Sequence, residues 1–108
     1  MDLIEARTHL LVEKPLCATT ADAEELVSAA RRRHLVLQVG HIERFNPAFC
    51  AAIPHVRSPK YIEAVRASGY TFRSTDVGVV LDLMIHDLDL VMSMVRSPLR
   101  RVEAIGLS

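Results

Sequence analysis

The sequence predicts an α/β fold: a βαβ piece of a doubly wound parallel sheet, followed by the start of an α+β domain. Three observations carry this. Two short apolar runs, His9-Leu10-Leu11-Val12-Glu13 and Leu35-Val36-Leu37-Gln38-Val39-Gly40, have the length of strands rather than helices. One helical stretch lies between them on short connections, and strand, helix, strand in that order requires a parallel pair and a right-handed crossover. Beyond Gly40 the texture changes to helix, strand, helix, strand, with the boundary near residues 44–46.

The elements follow in order. Residues 1–8 read as a helix tail or a disordered lead-in. His9 to Glu13 reads as a buried strand that stops at Pro15, which has no N–H for a ladder. Thr19-Thr20-Ala21-Asp22 offers a hydroxyl cap and a first-turn acid, so a helix begins there and runs to about Arg33. Arg31-Arg32-Arg33 suits the negative end of the helix dipole. Leu35 to Gly40 is a second buried strand. His41 to Phe45 is a polar and aromatic loop, and Asn46-Pro47 caps and opens a helix to about His55. Tyr61 to Ala67 partly alternates and reads as a half-exposed strand. Gly69 to Ser74 is a loop, Val77 to Val95 an amphipathic helix, and Val102 to Ile105 a last short strand.

Composition narrows the function. The chain has 108 residues, half of them apolar and 24% charged, which suits a folded domain and excludes disorder. Thirteen basic residues balance thirteen acidic ones, so no polyelectrolyte signature points to nucleic acid. No apolar run has membrane-spanning length. The acidic start, Met1-Asp2-Leu3-Ile4-Glu5, is unlike a signal peptide. Cys17 and Cys50 form no C-x-x-C pair, so free thiols in a reducing cytoplasm are expected.

Three clusters carry candidate chemistry. Glu13-Lys14-Pro15 ends the first strand, and ligands of open α/β sheets bind at strand carboxyl ends. A lysine there can stabilise a developing alkoxide; the plain alternative is a surface lysine before a turn proline. Gly40-His41-Ile42-Glu43-Arg44-Phe45-Asn46-Pro47 occupies the equivalent end of the second strand, and its alternative is an ordinary polar loop. In the third cluster, Asp82 and His86 stand four apart on one helix face, with Asp87 and Asp89 beyond. That spacing gives a general base with an orienting acid, a partial metal site, or the polar side of an amphipathic helix.

Taken together, the markers resemble the Gfo/Idh/MocA oxidoreductases, the relatives of glucose–fructose oxidoreductase and inositol 2-dehydrogenase. They are Leu11-Val12-Glu13-Lys14-Pro15-Leu16 with Ala18-Thr19-Thr20, then Gln38-Val39-Gly40-His41, Arg44-Phe45-Asn46-Pro47, and Asp82-x-x-x-His86. The stretches 39–47 and 76–87 look like the nucleotide-sugar branch, the UDP-N-acetylglucosamine 3-dehydrogenases. The resemblance implies the C-terminal part of a Rossmann-like sheet over 1–45 and the start of an α+β substrate domain over 46–108. It implies hydride transfer from a sugar-like alcohol to NAD or NADP, with Lys14, Asp82 and His86 catalytic. It places Glu13, Lys14, Pro15, His41 and Arg44 on the cofactor side, with Lys14-Pro15 a cis peptide. Lys14, Asn46, Asp82 and His86 would meet substrate. No metal is implied, and the family's usual homo-oligomer forms through the second domain's sheet.

Two departures stand out. Met84 occupies a position that is glycine in many members, so it either narrows the pocket or turns into the core. No G-x-G-x-x-G occurs, so the pyrophosphate cradle of the fold is missing from these residues. The expectation is therefore an internal fragment or truncated product of a dehydrogenase, with little activity by itself. A non-catalytic interaction module, or a small metal-dependent hydrolase using His86, Asp87 and Asp89, are the competing functions.

Overall fold

A computed structural model describes residues 2–67 and 78–106. The expected loop at 69–74, the first residue of the expected last helix, Val77, and Asp76 lie outside the described residues. The chain opens with helix α1 (Asp2–Glu5), strand β1 (Leu10–Glu13), helix α2 (Thr20–Arg32) and strand β2 (Leu37–Gly40). A 3₁₀ turn (Ile42–Phe45) follows, then helix α3 (Pro47–Ala52), which tightens into a second 3₁₀ turn (Ile53–His55). A π-helical turn (Val80–Met84) leads into helix α4 (Ile85–Met94).

The βαβ unit forms as expected. β1 and β2 pair in parallel, with Leu10 opposite Leu37 and Glu13 opposite Gly40. Thr19 caps α2: its Oγ1 accepts the Asp22 amide at 3.2 Å and donates to the Asp22 carboxylate at 2.6 Å. At the other end the Leu35 amide bonds the Ala30 carbonyl and the His34 amide bonds that of Arg31. This is a Schellman motif, and His34 takes its left-handed position at φ 55°. The motif turns the chain back so that Leu35 packs against the buried cluster of Ile4, Ala29 and Ala30.

The core lies on one face of the two strands. Ile4, Ala29 and Ala30 are buried, and Leu10, Leu26, Leu35 and Leu37 pack against them. Ile4 is the largest side chain fully removed from solvent, so the opening residues are a core-forming helix, not a disordered lead-in. The small alanines of α2 let the helix approach the strands closely.

Three expectations are corrected. The strands are not buried on both faces: Leu11 is 74% exposed and Val36 57% exposed, because nothing among the described residues covers that side. Tyr61–Ala67 and Val102–Ile105 carry no regular secondary structure and form no strand. A strand exists only as half of a ladder, and among the described residues no edge pairs with either segment. Finally, the last helix is not continuous α-helix, since Val80–Met84 is wound as a π turn.

Candidate functional site

The site gathers at the carboxyl ends of β1 and β2 and at the start of α4. Strand β1 delivers Glu13 and Lys14 to its tip, and the Lys14-Pro15 peptide is cis. Lys14 Nζ donates to the Asp82 carbonyl oxygen at 2.6 Å and to Asp82 Oδ1 at 3.1 Å. The two residues are 68 positions apart, so only the fold brings them together. The carbonyl that the ammonium group reaches lies inside the π turn, a distortion frequent at functional sites.

Asp82 therefore faces Lys14, and among the described residues no hydrogen bond links it to His86. His86 follows as the second residue of α4. Its Nδ1 is buried and has no hydrogen-bond partner among the described residues. Buried polar atoms normally have one, so this imidazole nitrogen, one turn beyond the Lys14–Asp82 pair, is an exception among the described residues. Met84 is 45% exposed, so it does not enter the core.

At the tip of β2, Gly40 is buried against Glu13. A Cβ there would stand 3.0 Å from Glu13 Oε1, so glycine is what lets that carboxylate lie over the strand end. Glu13, Gly40 and His41 line one end of an open cavity of about 530 Å³ that continues along the uncovered sheet face past Leu11 and Val36. Lys14, Asp82 and His86 do not line it. His41 also keeps a buried Nδ1 with no hydrogen-bond partner among the described residues.

Arg44 and Asn46 are held by the protein itself. Arg44 makes a two-pronged ion pair with Asp89 of α4, Nε to Oδ2 at 2.7 Å and Nη2 to Oδ1 at 2.6 Å. The hydrogen bond to Asp89 raises the guanidinium above its ordinary value, against a smaller opposing effect of burial. Asn46 caps α3, accepting the Ala48 amide at 3.0 Å, and donates to Glu43 at 3.1 Å. Asp87 is gripped in the same way by Arg66, at 2.8 and 2.7 Å. Hydrogen bonding to Arg66 holds the Asp87 carboxyl below its ordinary range.

The carboxylates of Asp87 and Asp89, offered by the sequence as metal ligands beside His86, are thus engaged by guanidinium groups. Among the described residues no three His, Cys, Asp or Glu side chains converge on one point. No described helix is long and apolar enough to cross a membrane. The Arg44–Asp89 and Arg66–Asp87 pairs were not legible in the sequence. Charges 45 and 21 residues apart carry no spacing rule.

Residues 1–41 match the model of a family described as an oxidoreductase family with an NAD-binding Rossmann fold. Over 97% of its length the chain is 40% identical to the UDP-N-acetylglucosamine 3-dehydrogenase of Acidithiobacillus ferrooxidans, covering 34% of that protein. The chain belongs to the Gfo/Idh/MocA oxidoreductases. It is also 32% identical to the inositol 2-dehydrogenase of Acidothermus cellulolyticus, over 95% of this chain and 32% of that one. With the 1,5-anhydro-D-fructose reductase of Ensifer adhaerens the figures are 35%, 80% and 30%. The chain spans about a third of the length of these curated relatives. No solved structure gives a significant match. The parallel β1–β2 pair with α2 across it is consistent with the α/β, Rossmann-type architecture of the family.

Proposed function

We propose that this chain supplies the chemistry-side residues of an NAD(P)-dependent dehydrogenase acting on a sugar or nucleotide-sugar alcohol. The observation that carries the reading is the Lys14–Asp82 contact, which ties the strand tip to the helix bearing His86. Residues 1–45 are then the later part of a dinucleotide-binding domain, and residues 46–108 the start of an α+β substrate domain. The protein works in the cytoplasm, and the full-length protein forms a homo-oligomer through the sheet of its second domain. The 40% identity to a UDP-N-acetylglucosamine 3-dehydrogenase supports a nucleotide sugar as the first substrate to test.

The residues present suit the nicotinamide end of the cofactor. Gly40 leaves the strand end open, the Glu13 carboxylate beside it can accept from ribose hydroxyls, and His41 offers an imidazole nitrogen with no hydrogen-bond partner among the described residues. Arg44, held by Asp89, stands on the cofactor side with them, and Lys14-Pro15 shapes the turn. The pyrophosphate has no glycine-rich cradle in this sequence. A bound nicotinamide cofactor would supply the hydride acceptor.

The chain's own residues handle the proton and the oxygen. The His86 imidazole removes the proton of the substrate hydroxyl while the hydride leaves the same carbon, and a carbonyl results. Lys14 donates a hydrogen bond to that oxygen and stabilises its growing negative charge. Asp82 fixes the Lys14 ammonium and, with Asn46, holds the sugar. In the full-length protein, Lys14→Ala is expected to lower kcat by roughly a hundredfold or more while far-UV circular dichroism stays unchanged. Reduced nicotinamide formed from a panel of sugars and UDP-sugars is the readout, and an unaltered kcat removes Lys14 from the reaction. The 108-residue chain alone is expected to turn over little or nothing.

A second reading, a non-catalytic interaction module, is favoured by the uncovered sheet face with Leu11 and Val36. Absence of turnover in the full-length protein, together with a bound partner on that face, would decide for it.

A further inference from the structure

Helix α4 is attached to the strand tips at two places. At its leading turn, Asp82 takes the Lys14 ammonium from the tip of β1. Seven residues on, roughly 10 Å along a helix, Asp89 takes the Arg44 guanidinium from the turn after β2. The Asp89 side chain is only 10% exposed, and its Oδ1 also lies 3.9 Å from His41 Nε2 at the start of the same turn. β1 and β2 are locked to each other by the parallel ladder, with Glu13 opposite Gly40. The four pieces make a closed circuit: β1 tip, Asp82, Asp89, β2 tip. His86 stands between the two attachments.

One attachment leaves a helix free to swivel about the contact; two set its direction. A planar guanidinium gripping a carboxylate through two parallel bonds is strict in angle as well as distance. We propose that Asp89 is a positioning residue. By clamping Arg44 it fixes the heading of α4 and so sets where the His86 imidazole stands relative to the Lys14 ammonium. The proposal deepens the dehydrogenase reading, because it names what aligns that reading's base with its cation. It also gives Arg44 a positioning role on the cofactor side of the site.

The experiment uses the full 108-residue chain and needs no turnover. Nuclear magnetic resonance follows the Lys14 side-chain ammonium and the His86 ring in wild type, Asp89→Asn, Arg44→Gln and the exchanged pair Arg44→Asp/Asp89→Arg. Lys14 touches neither mutated residue. Asp89→Asn and Arg44→Gln are each expected to shift the Lys14 ammonium signal and to weaken the hydrogen-bond signature with Asp82. The exchanged pair is expected to restore both toward wild type. Asp87→Asn, which cuts the Arg66 pair instead, is expected to leave Lys14 in place.

Unmoved Lys14 signals in a folded Asp89→Asn chain overturn the proposal. So does an equal shift from Asp87→Asn, which would indicate general loosening. Where Asp89→Asn does not fold, Arg44→Lys keeps the charge, loses the planar fork and serves the same comparison. A failed clamp leaves the dehydrogenase assignment standing. A failed assignment, read from turnover of the full-length protein, leaves these resonances as they are.

Discussion

At the scale of single residues, the Glu13–Gly40 contact is the tightest constraint at the strand ends. Adding a methyl group at Gly40 does not break the backbone, because the atom it meets is the far end of a flexible side chain. It moves the carboxylate instead. Gly40→Ala is therefore expected to leave the far-UV spectrum intact while weakening nicotinamide cofactor binding to the full-length protein about tenfold. That is about the loss of one hydrogen bond to a charged group. Calorimetric titration checks it, and unchanged affinity would mean that Glu13 does not meet the cofactor. The sequence made Glu13, Lys14, Asp82 and His86 visible as candidates because each falls in a short motif. Which of them touch was not visible: the four-residue spacing implied that Asp82 faces His86, whereas the π turn directs Asp82 to Lys14.

At the scale of elements, helix ends obey local rules and were readable. Thr19 caps α2 and Asn46 caps α3, each where a hydroxyl or amide side chain precedes the apolar spacing. The C-terminal end of α2 carries a cost instead, because His34 holds a positive φ that a β-carbon disfavours. His34→Gly is expected to stabilise the chain by about 1 kcal/mol, measured as a higher midpoint of thermal or urea unfolding. The irregular stretch 61–67 is attached through Arg66 to Asp87. A carboxyl held below its ordinary value stabilises the folded form above the unfolded-state value. That contribution fades as pH falls through the lower folded-state value. The link is thus expected to be intact near neutrality and to loosen only below about pH 3.8, the ordinary value for the group. Tyr61, hydrogen-bonded to Glu63 in this stretch, is a convenient fluorescent reporter. Asp87→Asn should produce the acid-like signal at neutral pH.

At the scale of the whole molecule, little is buried. The accessible surface is 9473 Å² for 12.0 kDa, where a compact monomer of that mass exposes about 6000 Å². The radius of gyration is 16.3 Å against about 13 Å for a compact chain of this length. Apolar burial drives folding in proportion to area, so the isolated chain is expected to be only marginally stable. Its unfolding should be broad, and its midpoint should rise with protein concentration as exposed apolar surface is covered by association. Circular dichroism melts over a hundredfold concentration range test this, and a sharp, concentration-independent transition would contradict it.

The sequence by itself determined the parallel βαβ unit, the helix caps and the family motifs, because these depend on residues near one another along the chain. Periodicity, capping chemistry and turn residues act over a few positions, and they agree with one another from His9 to Pro47. Only the tertiary structure decided that Ile4 forms the core, that Asp82 serves Lys14 and that Arg44 is clamped by Asp89. It also decided that Tyr61–Ala67 and Val102–Ile105 pair with no strand among the described residues. Those outcomes depend on which distant groups arrive beside one another, and a strand, an ion pair or a buried side chain is defined by its neighbour in space.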